Sequence, residues 1–227
     1  MNLTDPGEMK MLKIMTDATS PFGRKVVVAA LERGLEVAEQ FVDMKAPQPL
    51  APFNPLWQIP TLVLSERAGV YDSMAILLHL DTLHEQAPLV RIGDAAALSM
   101  LSLADGLMEA VLARRVESLR EAARQDDGYL AKLEARILRS LDAIDARRDE
   151  LGDAFGDEAG GLPSGTQIAV AVALEYTDFR YARDWREARP ALAAWLATWA
   201  ARPSMTATAP GTREPFVGSL RDAHPAS

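Results

Sequence analysis

The chain has 227 residues, 48% hydrophobic and 25% charged, with a formal net charge of −8. That composition belongs to a globular protein able to bury a sizeable core, and its acidity opposes non-specific attraction to nucleic acid. Cysteine is absent, which excludes disulfides, thiolate metal sites and a protein thiol as nucleophile or redox centre, so any thiol chemistry must come from a ligand.

Residues 1–10 are polar and read as a flexible extension. Acids and a proline stand there in place of the basic segment of a secretory signal, and no apolar run approaches the roughly 18 residues that span a bilayer. A cytoplasmic protein with no membrane partner is expected. Met11 to Met15 is an apolar run suited to a buried strand. Asp17, Ala18, Thr19 and Ser20 supply cap and turn residues, and Pro21 sits just inside a helix start, where its missing N–H costs nothing. A helix from Pro21 to Arg33 follows, stopped at Gly34. Arg24 and Lys25 are expected along it as solvent or interface charges. Val37 to Val42 has strand character, and four prolines make Lys45 to Pro55 a loop.

Ile59 to Leu64 is apolar and β-branched, Ala68-Gly69 offers a turn, and Val70-Tyr71 forms a short second strand, giving a hairpin. Asp72-Ser73 then caps a helix with apolar positions Ile76, Leu77, Leu80 and Leu83. Past Pro88 the pattern is helical, over Asp94–Ala123 and Asp127–Leu151. A glycine-rich acidic loop, 152–163, leads to Ser164-Gly165-Thr166-Gln167, which fits a capping box. The following run Ile168 to Leu174 has no polar face and marks the centre of a bundle. A last helix, Pro190 to Ala201, carries Trp195 and Trp199, and the stretch after it is expected to wrap loosely.

The order β-α-β, loop, β-β-α is carried by Thr19–Val26 (TSPFGRKV), Asn54–Leu62 (NPLWQIPTL) and Tyr71–Ile76 (YDSMAI). With Ser164–Arg180 as a fourth segment, the chain from Met11 to about Pro210 resembles the cytosolic glutathione S-transferases. The resemblance implies an α/β thioredoxin-like N-terminal domain over 11–86 and an all-α helical bundle over 87–210; the composition of 211–227, rich in Pro, Gly, Thr and Ser, reads as a loose tail. Two positions depart from the family pattern. Gln167 replaces the usual aspartate of the capping box, at a cost of about 0.5 kcal/mol, and the bulky Trp57 stands where a small or charged residue is common.

The resemblance also implies a site and a chemistry. Glutathione is the co-substrate and a small hydrophobic electrophile its acceptor, with no metal. Ser20 faces the glutathione sulfur, with Thr19 as second choice. Phe22, Gln58, Ile59, Pro60, Asp72 and Ser73 hold the tripeptide: the Ile59 backbone pairs with its cysteinyl part beside a cis Pro60, and Asp72-Ser73 takes the γ-glutamyl end. Leu101, Asp105, Met108 and Leu112 are the candidate electrophile pocket. Read without the family, Ser20 and Asp72 are ordinary helix caps and the apolar members of the last group are core. His79, His84 and His224 have no metal-ligand spacing. A homodimer is expected, and the alternative use of the same fold is a non-catalytic binding or regulatory protein.

Overall fold

The computed structural model describes residues 11–152 and 161–220. The predicted extension 1–10, most of the loop 152–163, and residues 221–227 with His224 lie outside the described residues. The described residues divide into two compact units, one holding residues 11–85 and 206–220, the other residues 86–152 and 161–205.

The first unit runs β1 (Leu12–Thr16), α1 (Pro21–Glu32), β2 (Val37–Phe41), β3 (Thr61–Ser65), β4 (Ala68–Val70) and α2 (Ser73–Leu80), and is joined by β5 (Val217–Gly218). The sheet order is β4-β3-β1-β2-β5, with β1 parallel to β2 and the other pairs antiparallel. Parallel neighbours need a crossover, and α1 provides it. As the central strand β1 has cover on both faces, so consecutive Ile14, Met15 and Thr16 are all buried.

Eleven of the twelve residues of α1 are buried, Arg24 and Lys25 among them, which corrects their expected place as surface charges. Arg24 donates its Nε–H to Thr208 Oγ1 at 3.2 Å, and Lys25 Nζ lies 5.9 Å from the centre of the Phe22 ring. The hairpin also differs in detail. Its turn is Glu66-Arg67, and Ala68-Gly69 belongs to β4. Gly69 is needed in the strand because a Cβ there would lie 2.9 Å from the Phe53 carbonyl oxygen. β3 begins at Thr61 because Pro60 has no N–H for the ladder. Helix α2 ends at Leu80, short of Leu83, where Thr82 turns its hydroxyl onto the His79 carbonyl at 2.7 Å.

The closing segment, expected to be loose, is tied to this unit. β5 pairs with β2, and Arg213 grips Glu39 with both terminal nitrogens while the Phe216 amide donates to the same carboxylate at 2.8 Å. The Glu39 side chain has no exposed surface.

The second unit is helical: α3 (Ala95–Ser118), α4 (Asp127–Ala146), α5 (Gly165–Arg180), α6 (Trp185–Ala188), α7 (Pro190–Ala200) and α8 (Pro203–Ala207), the last carrying the chain back to the first unit. Asp94 and Asp126 cap α3 and α4 by accepting the Ala97 and Tyr129 amides. Both helices stop sooner than the apolar spacing predicts. After α3, Gln125 binds the Ser118 and Arg120 carbonyls; after α4, Arg147 leaves helical dihedrals and binds Glu150 and the Ala96 carbonyl. Among the described residues α3 is the one helix long and apolar enough to cross a membrane by length and composition. It packs against α4 and α5.

The capping box of α5 is formed in both directions, and every side chain from Ile168 to Leu174 is fully buried. Gln167 also donates its amide N–H to the Leu151 carbonyl at 2.7 Å. An aspartate has no proton to offer there, so the departure from the family pattern is answered by a bond of its own.

Candidate functional site

Strand register brings three sequence motifs to one end of the sheet. Met15 of β1 pairs with Thr61 of β3, and Leu62 of β3 pairs with Val70 of β4. The turn leaving β1, the Ile59-Pro60 step entering β3 and the Asp72-Ser73 step leaving β4 are therefore neighbours at the carboxyl end of the central strand, the end where open α/β sheets take their ligands.

The first motif is a turn organised by one carboxylate oxygen. Asp17 Oδ1 accepts the Thr19 and Ser20 amides, each at 2.6 Å, and the Thr19 hydroxyl at 3.1 Å. Ser20 is the N-cap of α1, its Oγ accepting the Gly23 amide at 3.1 Å. Gly23 is obligatory, because a Cβ there would sit 1.8 Å from Thr16 Oγ1. Thr19, Ser20 and Phe22 are all half-buried. The two hydroxyls differ in one respect: the Thr19 proton is directed at Asp17, whereas the Ser20 oxygen takes the cap with a lone pair and keeps its proton to give.

The second motif is fixed by Asn54, which is fully buried. Its amide nitrogen donates to the Gln58 carbonyl and to Thr61 Oγ1, both at 2.9 Å, while its oxygen accepts the Leu56 amide at 2.9 Å. Thr61 Oγ1 in turn donates to the Gln58 carbonyl at 2.9 Å. The Ile59-Pro60 peptide is cis, as the resemblance implies. Pro60 is buried, Ile59 half-buried and the Gln58 side chain exposed. Trp57 takes a left-handed backbone conformation, φ 52°, with its side chain exposed.

The third motif is the start of α2. Asp72 is exposed and caps the helix, Oδ1 accepting the Met74 amide at 2.9 Å and the Ala75 amide at 3.3 Å, and Ser73 beside it is buried. The plain capping role read from the sequence is thus present for both Ser20 and Asp72, and neither cap uses up the side chain.

The four α3 candidates do not share one environment. Leu101 and Met108 are fully buried, Asp105 is half-buried and Leu112 is exposed. His84 lies 3.4 Å from Asp81. Among the described residues no group of three or more His, Cys, Asp or Glu is placed to hold a metal ion.

Comparison with known proteins decides the family. The model of the glutathione S-transferase N-terminal domain matches residues 19–83, and that of the C-terminal domain matches residues 109–198. The chain belongs to the glutathione S-transferase family. Within that family, the uncharacterized GST-like protein YibF of Escherichia coli K12 is 30% identical over 210 residues, covering 88% of this chain and 98% of that protein. A glutathione transferase family member from Pseudomonas fluorescens Pf-5, crystallised with bound glutathione, is 35% identical with a TM-score of 0.80, over 88% of this chain and 100% of its own. A glutathione S-transferase from Methylobacillus flagellatus KT, with GSH bound, is 31% identical with a TM-score of 0.77, over 88% of this chain and 100% of its own.

Two residues that shape this candidate site were read from the sequence as turn and motif members, not as site residues. Asp17 stands two and three residues before the amides it binds, the spacing of an Asx turn. Asn54 precedes a proline, a turn-initiating pair. Those signals were present in the sequence. What it does not show is that Asn54 also reaches Thr61, seven residues on.

Proposed function

We propose that this chain is a glutathione transferase in which the Ser20 hydroxyl donates to the glutathione sulfur and holds it as a thiolate for attack on a small hydrophobic electrophile. The observation that carries the reading is the state of that hydroxyl: half-buried, at the start of a twelve-residue helix, capping with a lone pair and retaining its proton. Thr19, the second choice, already donates its hydroxyl proton in a hydrogen bond to Asp17.

The spacing of the motifs suits the ligand. From β4 through β3 to β1 are two inter-strand steps of about 4.8 Å, so the strands that lead into Asp72-Ser73 and Ser20 are about 10 Å apart. An extended tripeptide has about that reach. The helix start at Asp72-Ser73 offers the second carboxylate oxygen of Asp72 for the ligand's ammonium and the Ser73 hydroxyl and amide for its α-carboxylate. The Ile59 backbone, beside Pro60 and flanked by Phe22 and Gln58, takes the middle of the peptide.

A free thiol with a pKa of about 8.5 is only a few per cent thiolate at neutral pH, and lowering it by about two units takes roughly 2.7 kcal/mol. A hydrogen bond to a charged acceptor supplies about 1.5 to 3 kcal/mol and a helix N-terminus about 0.3 to 2 kcal/mol. Together they meet the need without a metal. The sulfur then forms its bond to the electrophilic carbon, with departure of a leaving group or uptake of a proton. On α3, Asp105 and Leu112 retain surface for such a substrate; Leu101 and Met108 are core. The homodimer and cytoplasmic location usual in the family belong to the same proposal.

Calorimetric titration of glutathione into the wild type and Ser20→Ala, at about pH 6.5 and about pH 8, tests it. Binding with proton release in the wild type, with less release in the variant, is the expected result. No binding to the wild type at millimolar glutathione contradicts it.

A further inference from the structure

Ser20 and Thr19 are adjacent hydroxyls on one turn, and Asp17 treats them differently. One oxygen of its carboxylate takes both backbone N–H groups, at 2.6 Å each, together with the Thr19 hydroxyl proton at 3.1 Å. Two amides that could otherwise bind an anion are thereby taken by Asp17. The turn is held from the other side as well, since the Gly211 amide donates to the Ala18 carbonyl at 3.3 Å.

We propose that Asp17 is a positioning residue that designates Ser20 as the thiol-facing donor, by fixing the turn ahead of α1 and withdrawing the Thr19 hydroxyl and the two amides from the ligand. This rests on the proposed glutathione thiolate chemistry and adds to it a residue that touches neither ligand nor sulfur. The carboxylate acts in two opposed ways. As an acceptor it holds the geometry in which Ser20 lowers the thiol pKa; as a charge close to that site it disfavours a second anion. Geometry has the larger effect, because misplacement of a group by about 1 Å costs on the order of a hundredfold.

The two roles separate by substitution. Asp17→Asn keeps an oxygen that accepts the same amides but removes the charge, so the pKa of bound glutathione is no higher than in the wild type. Asp17→Ala removes the acceptor, and that pKa rises toward the free value of about 8.5. A turn that serves folding alone would lose stability in Asp17→Ala without moving the pKa of the bound thiol. Thr19→Val leaves the bound thiol where it is, and it decides the matter independently should Asp17→Ala fail to fold.

The experiment is ultraviolet titration of the thiolate of glutathione bound to the wild type, to these three variants and to Ser20→Ala. A rise of about one pKa unit or more in Asp17→Ala, with none in Asp17→Asn or Thr19→Val, supports the assignment. An unchanged value in Asp17→Ala, or a rise in Thr19→Val matching that of Ser20→Ala, overturns it while leaving a glutathione thiolate site in place. A wild type that binds no glutathione overturns the proposed function and this inference with it.

Discussion

At the residue scale the site is assembled from small side chains that close hydrogen bonds over two to seven positions, as Asp17 and Asn54 do. Thr16, at the end of β1, is the exception. It is fully buried, its Oγ1 has no hydrogen-bond partner among the described residues, and it lies against Gly23. A buried hydroxyl without a partner costs free energy that an apolar group of the same shape avoids. Thr16→Val is therefore expected to raise stability by about 1 kcal/mol, read as a higher denaturant midpoint. A lower midpoint would show that the hydroxyl has a partner in the working protein. Much of this scale was legible in the sequence: Ser20 as a cap, Asp72-Ser73 as a helix start and Pro60 as a strand opening are local facts of residue type. The difference between Thr19 and Ser20 was not, because it depends on where one carboxylate oxygen points.

At the element scale the sequence pattern yields the long elements but not their ends, and it passes over the short helices α6 and α8. Hydrophobic period locates α3 and α4, yet α3 stops where the Gln125 side chain captures the Ser118 carbonyl and α4 where Arg147 turns to Glu150 and the Ala96 carbonyl, bonds that periodicity does not encode. Where α5 ends, Tyr181 meets α3 and α4. Arg114 stacks over its ring with the guanidinium carbon 4.7 Å from the centre, and donates to Glu134 at 2.6 and 2.9 Å. Burial, with Glu134 adding to it and Arg114 opposing, holds the Tyr181 phenol above the usual tyrosine value.

The consequence for stability has a definite sign. Below the unfolded-state value of about 10 both states are protonated and nothing is lost. As pH rises from there through the folded value, the unfolded chain ionises first and stability falls. Urea midpoints measured across that alkaline range should decline less steeply in Tyr181→Phe than in the wild type. Equal slopes would mean that the phenol ionises freely in the folded protein.

At the scale of the whole molecule, the chain does not finish in the helical unit. Residues 206–220 return to the first unit, where β5 adds to the sheet edge at β2 and Arg213 clamps the buried Glu39. Composition pointed to a loose tail, since proline, glycine and small polar residues dominate there. A two-residue strand and one long-range ion pair leave no periodic trace, so this part of the fold was not readable from the sequence. Breaking a buried pair from one side strands the other charge, and Arg213→Met is expected to cost about 3 to 5 kcal/mol. Changing Glu39→Leu as well should recover much of that, measured as denaturant midpoints of both variants. Full stability in Arg213→Met alone would show that the clamp is dispensable.

The central claim is that this glutathione S-transferase family member holds its ligand's sulfur as a thiolate through Ser20. The most direct measurement is the pKa of the thiol of bound glutathione, followed by thiolate absorbance in the wild type and in Ser20→Ala. The account predicts a value about two units below the free thiol's 8.5 or so in the wild type, returning toward that value in the variant. A wild-type value equal to that of free glutathione, or a depressed value that Ser20→Ala leaves unchanged, would contradict it.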